Sequence, residues 1–182
     1  MNVVFVTGNA EKARYFSELA GHEVRHQKVD VAEIQSLDAV EVVTAKALAA
    51  YELLQCPVII EDTSLIFHSM GLLPGTFIKW FMEQLGPEGL CKLANTNQDC
   101  TATATAIFAY YNGTSLHLFK GGMKGTIAAT PHGSSGFGWN AIFKPEGQSK
   151  TLGEMDDVEF KKYYVLIKPF GAVKQFLDNL QP

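Results

Sequence analysis

Cysteine is scarce in this chain of 182 residues: Cys56, Cys91 and Cys100 are an odd number with no C-x-x-C pair, and the five histidines show no closely spaced ligand pattern. Those shortages leave no disulfide framework to infer and fit reduced thiols in a cytosolic protein. No window approaches a transmembrane span, and the opening residues lack a basic leader followed by a long apolar core. Neither a membrane protein nor a signal peptide is therefore expected. Positive charge is not in excess either, since 15 Lys and Arg stand against 19 Asp and Glu for a net charge of −4. A generic nucleic-acid-coating surface is excluded by that balance, which still leaves room for a local basic pocket that receives a small anion. Pro-rich, Ser-rich and charged linkers are absent, so residues 1–182 are expected to form one domain, with hydrophobic content of 47% ruling out disorder.

The chain is organised around Val3-Val4-Phe5-Val6-Thr7-Gly8-Asn9-Ala10-Glu11-Lys12. Four β-formers in succession predict a strand buried on both faces. Gly8 then permits a sharp reversal, and Asn9 is a good N-cap for a helix with Ala13, Phe16 and Ala20 at helical spacing. A helix N-terminus offers unpaired backbone N–H groups, so Thr7, Gly8, Asn9 and Lys12 read as a phosphate cradle, with a plain strand-to-helix turn as the alternative. The loop is not a Walker A motif, because a spaced second Gly followed by Lys-Ser or Lys-Thr is missing.

Further along, His22 to Val31 predicts a second strand anchored by Val24, Val29 and Val31, and Glu33 to Asp38 a polar loop. A helix is expected from about Ala39 to Leu54, stopped by Pro57. Val58-Ile59-Ile60 is a second fully apolar strand, expected to end abruptly at Glu61-Asp62-Thr63-Ser64. Carboxylates at the carboxyl end of a buried strand stand where ligands gather in open α/β sheets. Gly71 to Gly75 reads as a turn, with Thr76 capping a helix whose Phe77, Ile78, Trp80, Phe81 and Leu85 are expected in the core, and a second short helix after Pro87. Asn112-Gly113 marks a hairpin between Thr101–Tyr111 and Thr114–Phe119, extended by a strand near Lys124 to Ala129. The glycine-rich loop Gly133 to Asn140 carries Phe137 and Trp139, either as stacking faces for a base or as core rings of a hairpin connection. A last helix after Pro169 presents Phe170, Val173, Phe176, Leu177 and Leu180 as one apolar stripe.

A phosphate cradle, the carboxylates Asp38, Glu61 and Asp62, and an aromatic loop together describe a nucleotide site. Carboxylates meet polyphosphate through Mg²⁺, which takes only one or two protein oxygens. With those residues assembled, the chain resembles the inosine triphosphate pyrophosphatase family over nearly its whole length. Thr7-Gly8-Asn9 with Lys12 and Glu61-Asp62-Thr63 are similar to two of its motifs. So are Leu73-Pro74-Gly75-Thr76-Phe77-Ile78-Lys79-Trp80-Phe81, Gly86-Pro87-Glu88-Gly89-Leu90, Phe137-Gly138-Trp139 and Thr151 with Glu154-Met155.

The resemblance implies an α/β fold, an elongated mixed sheet in two lobes with flanking helices and a central cleft, in a homodimeric, Mg²⁺-dependent hydrolase of non-canonical purine triphosphates. It implies that Thr7, Gly8, Asn9 and Lys12 hold the triphosphate, with Thr63 beside them. Asp38 and Asp62 would be the metal ligands, and Asp62, Glu61 and Lys12 the catalytic groups. Phe137, Trp139, Asn140 and Lys161 would meet the base. The chain departs from the family in two places. Asn140 stands where Asp is usual, and the base-reading Ser-His-Arg is absent from Phe160 to Lys168, where a lysine alone is retained. Those departures imply altered base selectivity, or a non-catalytic nucleotide sensor on the same fold.

Overall fold

The computed structural model describes residues 3–96, 98–134 and 138–180. In chain order the elements are β1 (Val4–Val6), α1 (Ala10–Ala20), β2 (Arg25–Gln27), α2 (Ala39–Leu54), β3 (Val58–Phe67), β4 (Pro74–Gly75), α3 (Ile78–Ala94), β5 (Thr101–Tyr111), β6 (Leu116–Ile127), β7 (Phe143–Pro145), α4 (Asp157–Ile167) and α5 (Phe170–Asn179). The strands are hydrogen-bonded in the order β2-β1-β3-β5-β6-β7, with β4 on β3, making a seven-stranded mixed sheet as expected of an α/β protein. Two compact units divide the chain. One comprises the residues up to Asp62, Ala106–Gly121 and the residues from Lys168; the other comprises Thr63–Thr105 and Gly122–Ile167.

In the first unit β1 lies parallel to both β2 and β3, with Val4 opposite Val58 and Val6 opposite Ile60. Alternation sends Val4 and Val6 into a cluster with Val43, Ala47 and Ala50 of α2, while Phe5 turns to the other face and stacks on Phe16 of α1 at 4.4 Å between ring centroids. Phe108 of β5 and Phe170 of α5 complete that aromatic layer, 5.4 Å apart. Both faces are thus covered, as the apolar run predicts. Truncating a ring such as Phe16 to Ala is expected to cost about 3–5 kcal/mol.

Strand β2 is shorter than the pattern suggested. Only Arg25–Gln27 pair, all three exposed, while the expected anchors Val24, Val29 and Val31 reach the core from flanking loop. Strand β3 is longer, running past Glu61 and Asp62 to Phe67. The two acids do not end it because ammonium groups meet both carboxylates within the fold, outweighing the burial penalty at Glu61 and offsetting part of it at Asp62.

In the second unit β4 pairs antiparallel with β3, and β7 with β6. The expected strand near Lys124 is the far part of β6. Helix α3 is two helices joined at Gly86, whose φ of 64° and ψ of 179° break the spiral before Pro87 opens the next turn. Its start differs from expectation, with Phe77 at the N-cap position instead of Thr76. So does its burial: Ile78 is in the core, but Trp80 is 53% exposed and Leu85 is exposed as well. No helix among the described residues is long and apolar enough to cross a membrane.

Candidate functional site

The turn after β1 is built by its own side chains. Thr7 Oγ1 accepts the Asn9 N–H at 3.1 Å, and Asn9 Oδ1 accepts the Lys12 N–H at 3.1 Å as the cap of α1. Capping fixes where the first turn of α1 begins, and Lys12 sits in that turn. A side chain at Gly8 would press on the Lys28 stem at 3.1 Å, so the turn also runs close against its neighbour.

Lys12 reaches back to β3, where Nζ lies 3.3 Å from Glu61 Oε1. The same oxygen accepts from Lys168 Nζ at 2.5 Å. Glu61 and Lys168 are almost fully enclosed, at 3% and 4% side-chain exposure, whereas Lys12 keeps 20%. Burial alone would lift the Glu61 carboxyl, but the two ammonium groups outweigh it and hold it below its usual value. Burial also pushes the Lys168 ammonium down to about 8, with Glu61 opposing that shift.

One residue along β3 the arithmetic reverses. Lys46 of α2 donates to Asp62 Oδ1 at 2.7 Å and lies 2.8 Å from Glu33 Oε1. Burial raises the Asp62 carboxyl above its ordinary value despite Lys46, and Lys46 itself is held up by Asp62 and Glu33 against the opposing effect of burial. Two cations therefore share one carboxylate at Glu61, and two carboxylates share one cation at Asp62. Adjacent residues of one strand thus carry local charges of opposite sign, the first suited to an anion and the second to a cation.

Asp38, expected beside the metal, is the N-cap of α2, its Oδ1 accepting the Val40 N–H at 2.8 Å. The acid that Lys46 joins to Asp62 is Glu33, in the polar loop before α2. Lys46 and Lys168 were missed as partners of the acids. Lys46 had a signal: it is the lone lysine in an otherwise Ala- and Val-rich helix. No cluster of three or more His, Cys, Asp or Glu suited to a metal is found among the described residues. Two hard carboxylate oxygens nonetheless fit Mg²⁺, which fills its remaining positions with water and phosphate oxygens.

A family model described as the Ham1 family matches residues 3–175. The chain belongs to the Ham1 family. Curated relatives of this Ham1 chain include inosine triphosphate pyrophosphatase of Yarrowia lipolytica, 44% identical over 97% of the chain and 96% of the relative. Inosine triphosphate pyrophosphatase 2 of Trypanosoma cruzi is 41% identical over 94% of the chain and 90% of the relative. Among solved structures, a HAM1 protein from Coxiella burnetii superposes with a TM-score of 0.79 at 20% identity, covering 98% of the chain and 96% of its own. The Ham1 protein of Staphylococcus aureus gives 0.78 at 23%, covering 98% and 99%.

The expected base-side residues lie in the second unit of this Ham1 chain. Thr63 follows Asp62 on β3, half-buried. Phe137 falls outside the described residues. Trp139 is half-buried in the short turn Gly138–Ala141 and packs edge-on against Phe143 at 5.4 Å. Asn140 is buried, and its Nδ2 finds no hydrogen-bond partner among the described residues. Lys161 pairs with Asp157 one turn away on α4 at 2.8 Å. In the stretch where the resemblance led to the expectation of Ser-His-Arg, α4 buries Phe160, Tyr164 and Ile167. Lys168, another lysine of that stretch, is committed to Glu61.

Proposed function

We propose that this Ham1 chain hydrolyses a nucleoside triphosphate to the monophosphate and pyrophosphate with the help of Mg²⁺. The observation that carries the reading is the pair of oppositely unbalanced clusters at Glu61 and Asp62, the charge pattern that a metal-bound polyphosphate would complete. The names of the curated relatives point the same way. Lys12, the exposed arm of the cationic cluster, would bind the phosphates with the capped turn of Thr7, Gly8 and Asn9 behind it. Glu33 and Asp62 would hold Mg²⁺, and bound metal supplies charge neutralisation at the phosphate oxygens.

Asp62, whose raised carboxyl lies closer to the range of a working base than an ordinary aspartate, would orient the attacking water and accept its proton. The water oxygen bonds to the α-phosphorus as the bond to the bridging oxygen breaks, and pyrophosphate leaves with the electron pair. Lys12 meets the negative charge that develops on that leaving group.

For selectivity, the Nδ2 of Asn140 finds no hydrogen-bond partner among the described residues, and a buried donor of that kind favours a ligand that brings an acceptor, which supports altered base preference. Asn also carries an acceptor oxygen, so it pairs with an oxo or an amino group. Without Ser-His-Arg, discrimination between inosine and adenosine triphosphates is expected to fall within about tenfold. We also infer a cytosolic homodimer, to which the exposed Leu72, Trp80 and Leu85 supply apolar surface.

The test is a panel of inosine, xanthosine, adenosine and guanosine triphosphates with products resolved and kcat/KM compared. Pyrophosphate release supports the reaction, and release of single phosphates overturns it. Tight binding without turnover would make the chain a nucleotide sensor. A preference above roughly a hundredfold for the first two nucleotides would overturn the selectivity reading while leaving the reaction intact.

A further inference from the structure

The pyrophosphatase reading uses Lys12, Glu33, Glu61 and Asp62, and leaves Lys168 without a task. Lys168 stands just before the first turn of α5, is enclosed almost completely, and donates to Glu61 Oε1 at 2.5 Å. An enclosed ammonium is an expensive choice for mere packing, because an apolar side chain would fill the same volume without desolvating a charge. We propose that Lys168 is a positioning residue for the phosphate group of the substrate: by neutralising Glu61 from the enclosed side, it leaves the Lys12 ammonium available to an anion.

The geometry ranks the two cations. Both reach one oxygen, but the Lys168 contact is 0.8 Å shorter than the Lys12 contact of 3.3 Å, and Lys12 is the partner that retains solvent exposure. Glu61 can satisfy one positive charge fully. With two present, the surplus is displayed at the accessible end of the cluster, which is Lys12, in the first turn of α1. Remove Lys168, and Lys12 becomes the one counter-ion of that enclosed carboxylate among the described residues. It would then be held on Glu61, since turning outward would leave that carboxylate unpaired. At neutral pH Lys168 remains charged, its ammonium titrating near 8. Lys168 touches no substrate in this scheme and acts through Glu61 and Lys12.

This inference rests on the pyrophosphatase reading only in taking phosphate as the anion, and the test separates the two. Binding of inorganic pyrophosphate to the full chain is measured by calorimetry at pH 7 with metal removed by chelator, which reports the cationic cluster alone. Lys168→Met is expected to weaken binding by roughly tenfold or more, from loss of one nearby unit charge. Lys168→Arg, which keeps the charge, is expected to stay within about threefold of the parent. The double variant Glu61→Gln, Lys168→Met removes both charges of the enclosed pair, frees Lys12, and should restore binding to within about threefold of the parent.

A purely structural Lys168 predicts no such rescue. Unchanged binding in Lys168→Met, or a double variant as weak as that single one, overturns the proposal. Should Lys168→Met fail to fold, the double variant still decides, because weak binding by it refutes the charge argument. A parent chain that binds no pyrophosphate takes down the function reading along with this one.

Discussion

Replacing Asp62 by Asn separates stability from chemistry. The amide keeps the shape of the side chain and removes one charge of a pair whose partner, Lys46 Nζ, is 2.7 Å away. Breaking an enclosed ion pair from one side costs about 3–5 kcal/mol when the remaining charge is orphaned. Here it is not, because Glu33 stays 2.8 Å from Lys46 and inherits the pair. Burial, moreover, lifts the Asp62 carboxyl above its unfolded value, so above that range the ionised form is disfavoured by folding and the neutral amide escapes the penalty. The two effects together predict a stability change within about 1 kcal/mol, with unchanged or higher Tm. Activity should move far more. Loss of the group proposed to hold metal and accept a proton is expected to lower kcat by roughly 10²-fold, about 2.7 kcal/mol of transition-state stabilisation. The assay pairs thermal unfolding with pyrophosphate release across a Mg²⁺ titration. A variant that melts several degrees lower yet turns over at the parental rate would refute both halves of the reasoning.

The assignment of acids is checked by a matched pair of variants. Glu33→Gln should raise the Mg²⁺ concentration for half-maximal activity about tenfold or more, while Asp38→Ala should cost about 1 kcal/mol of stability through the lost cap and leave the Mg²⁺ requirement unmoved; the reverse pattern would restore Asp38 as the ligand. Burial, aided by Lys12 and opposed by Glu61, lowers the Lys168 ammonium from 10.5 to about 8 in the folded chain, so between those values the unfolded chain holds a proton that the folded one has released. This group should therefore raise stability as pH climbs from about 8 to about 10.5, while pyrophosphate affinity declines above pH 8 as its charge is lost. Both trends should vanish in Lys168→Arg, whose guanidinium stays charged throughout, as measured by denaturant unfolding and calorimetry at stepped pH.

Local chemistry made much of this structure legible in the sequence. Asn9 is the cap of α1, α2 spans the expected Ala39–Leu54, Pro87 opens a second helix, and Asn112-Gly113 joins β5 to β6. Each follows from propensities acting within a few residues. What sequence could not supply was pairing at a distance. Glu61 and Lys168 are 107 positions apart, and without that partner two adjacent acids read as the end of a strand. Asp38 shows a related ambiguity, since caps and metal ligands draw on the same residue types and the fold reveals the capping role that Asp38 plays for its own helix. Trp80 and Leu85 obeyed helical spacing yet face solvent, because periodicity identifies an apolar stripe without saying what covers it.

The unit that carries Lys12, Glu61 and Lys168 is assembled from three separated stretches of chain, and the last of them begins at Lys168 itself. During synthesis, the cradle at Thr7 to Lys12 leaves the ribosome more than 150 residues before the ammonium that balances Glu61, and before Phe170 can close on Phe16 and Phe108. Until then neither Phe170 nor Lys168 is present to close the aromatic layer or to balance Glu61. Completion of this unit and completion of the proposed anion site thus depend on the same last stretch of chain.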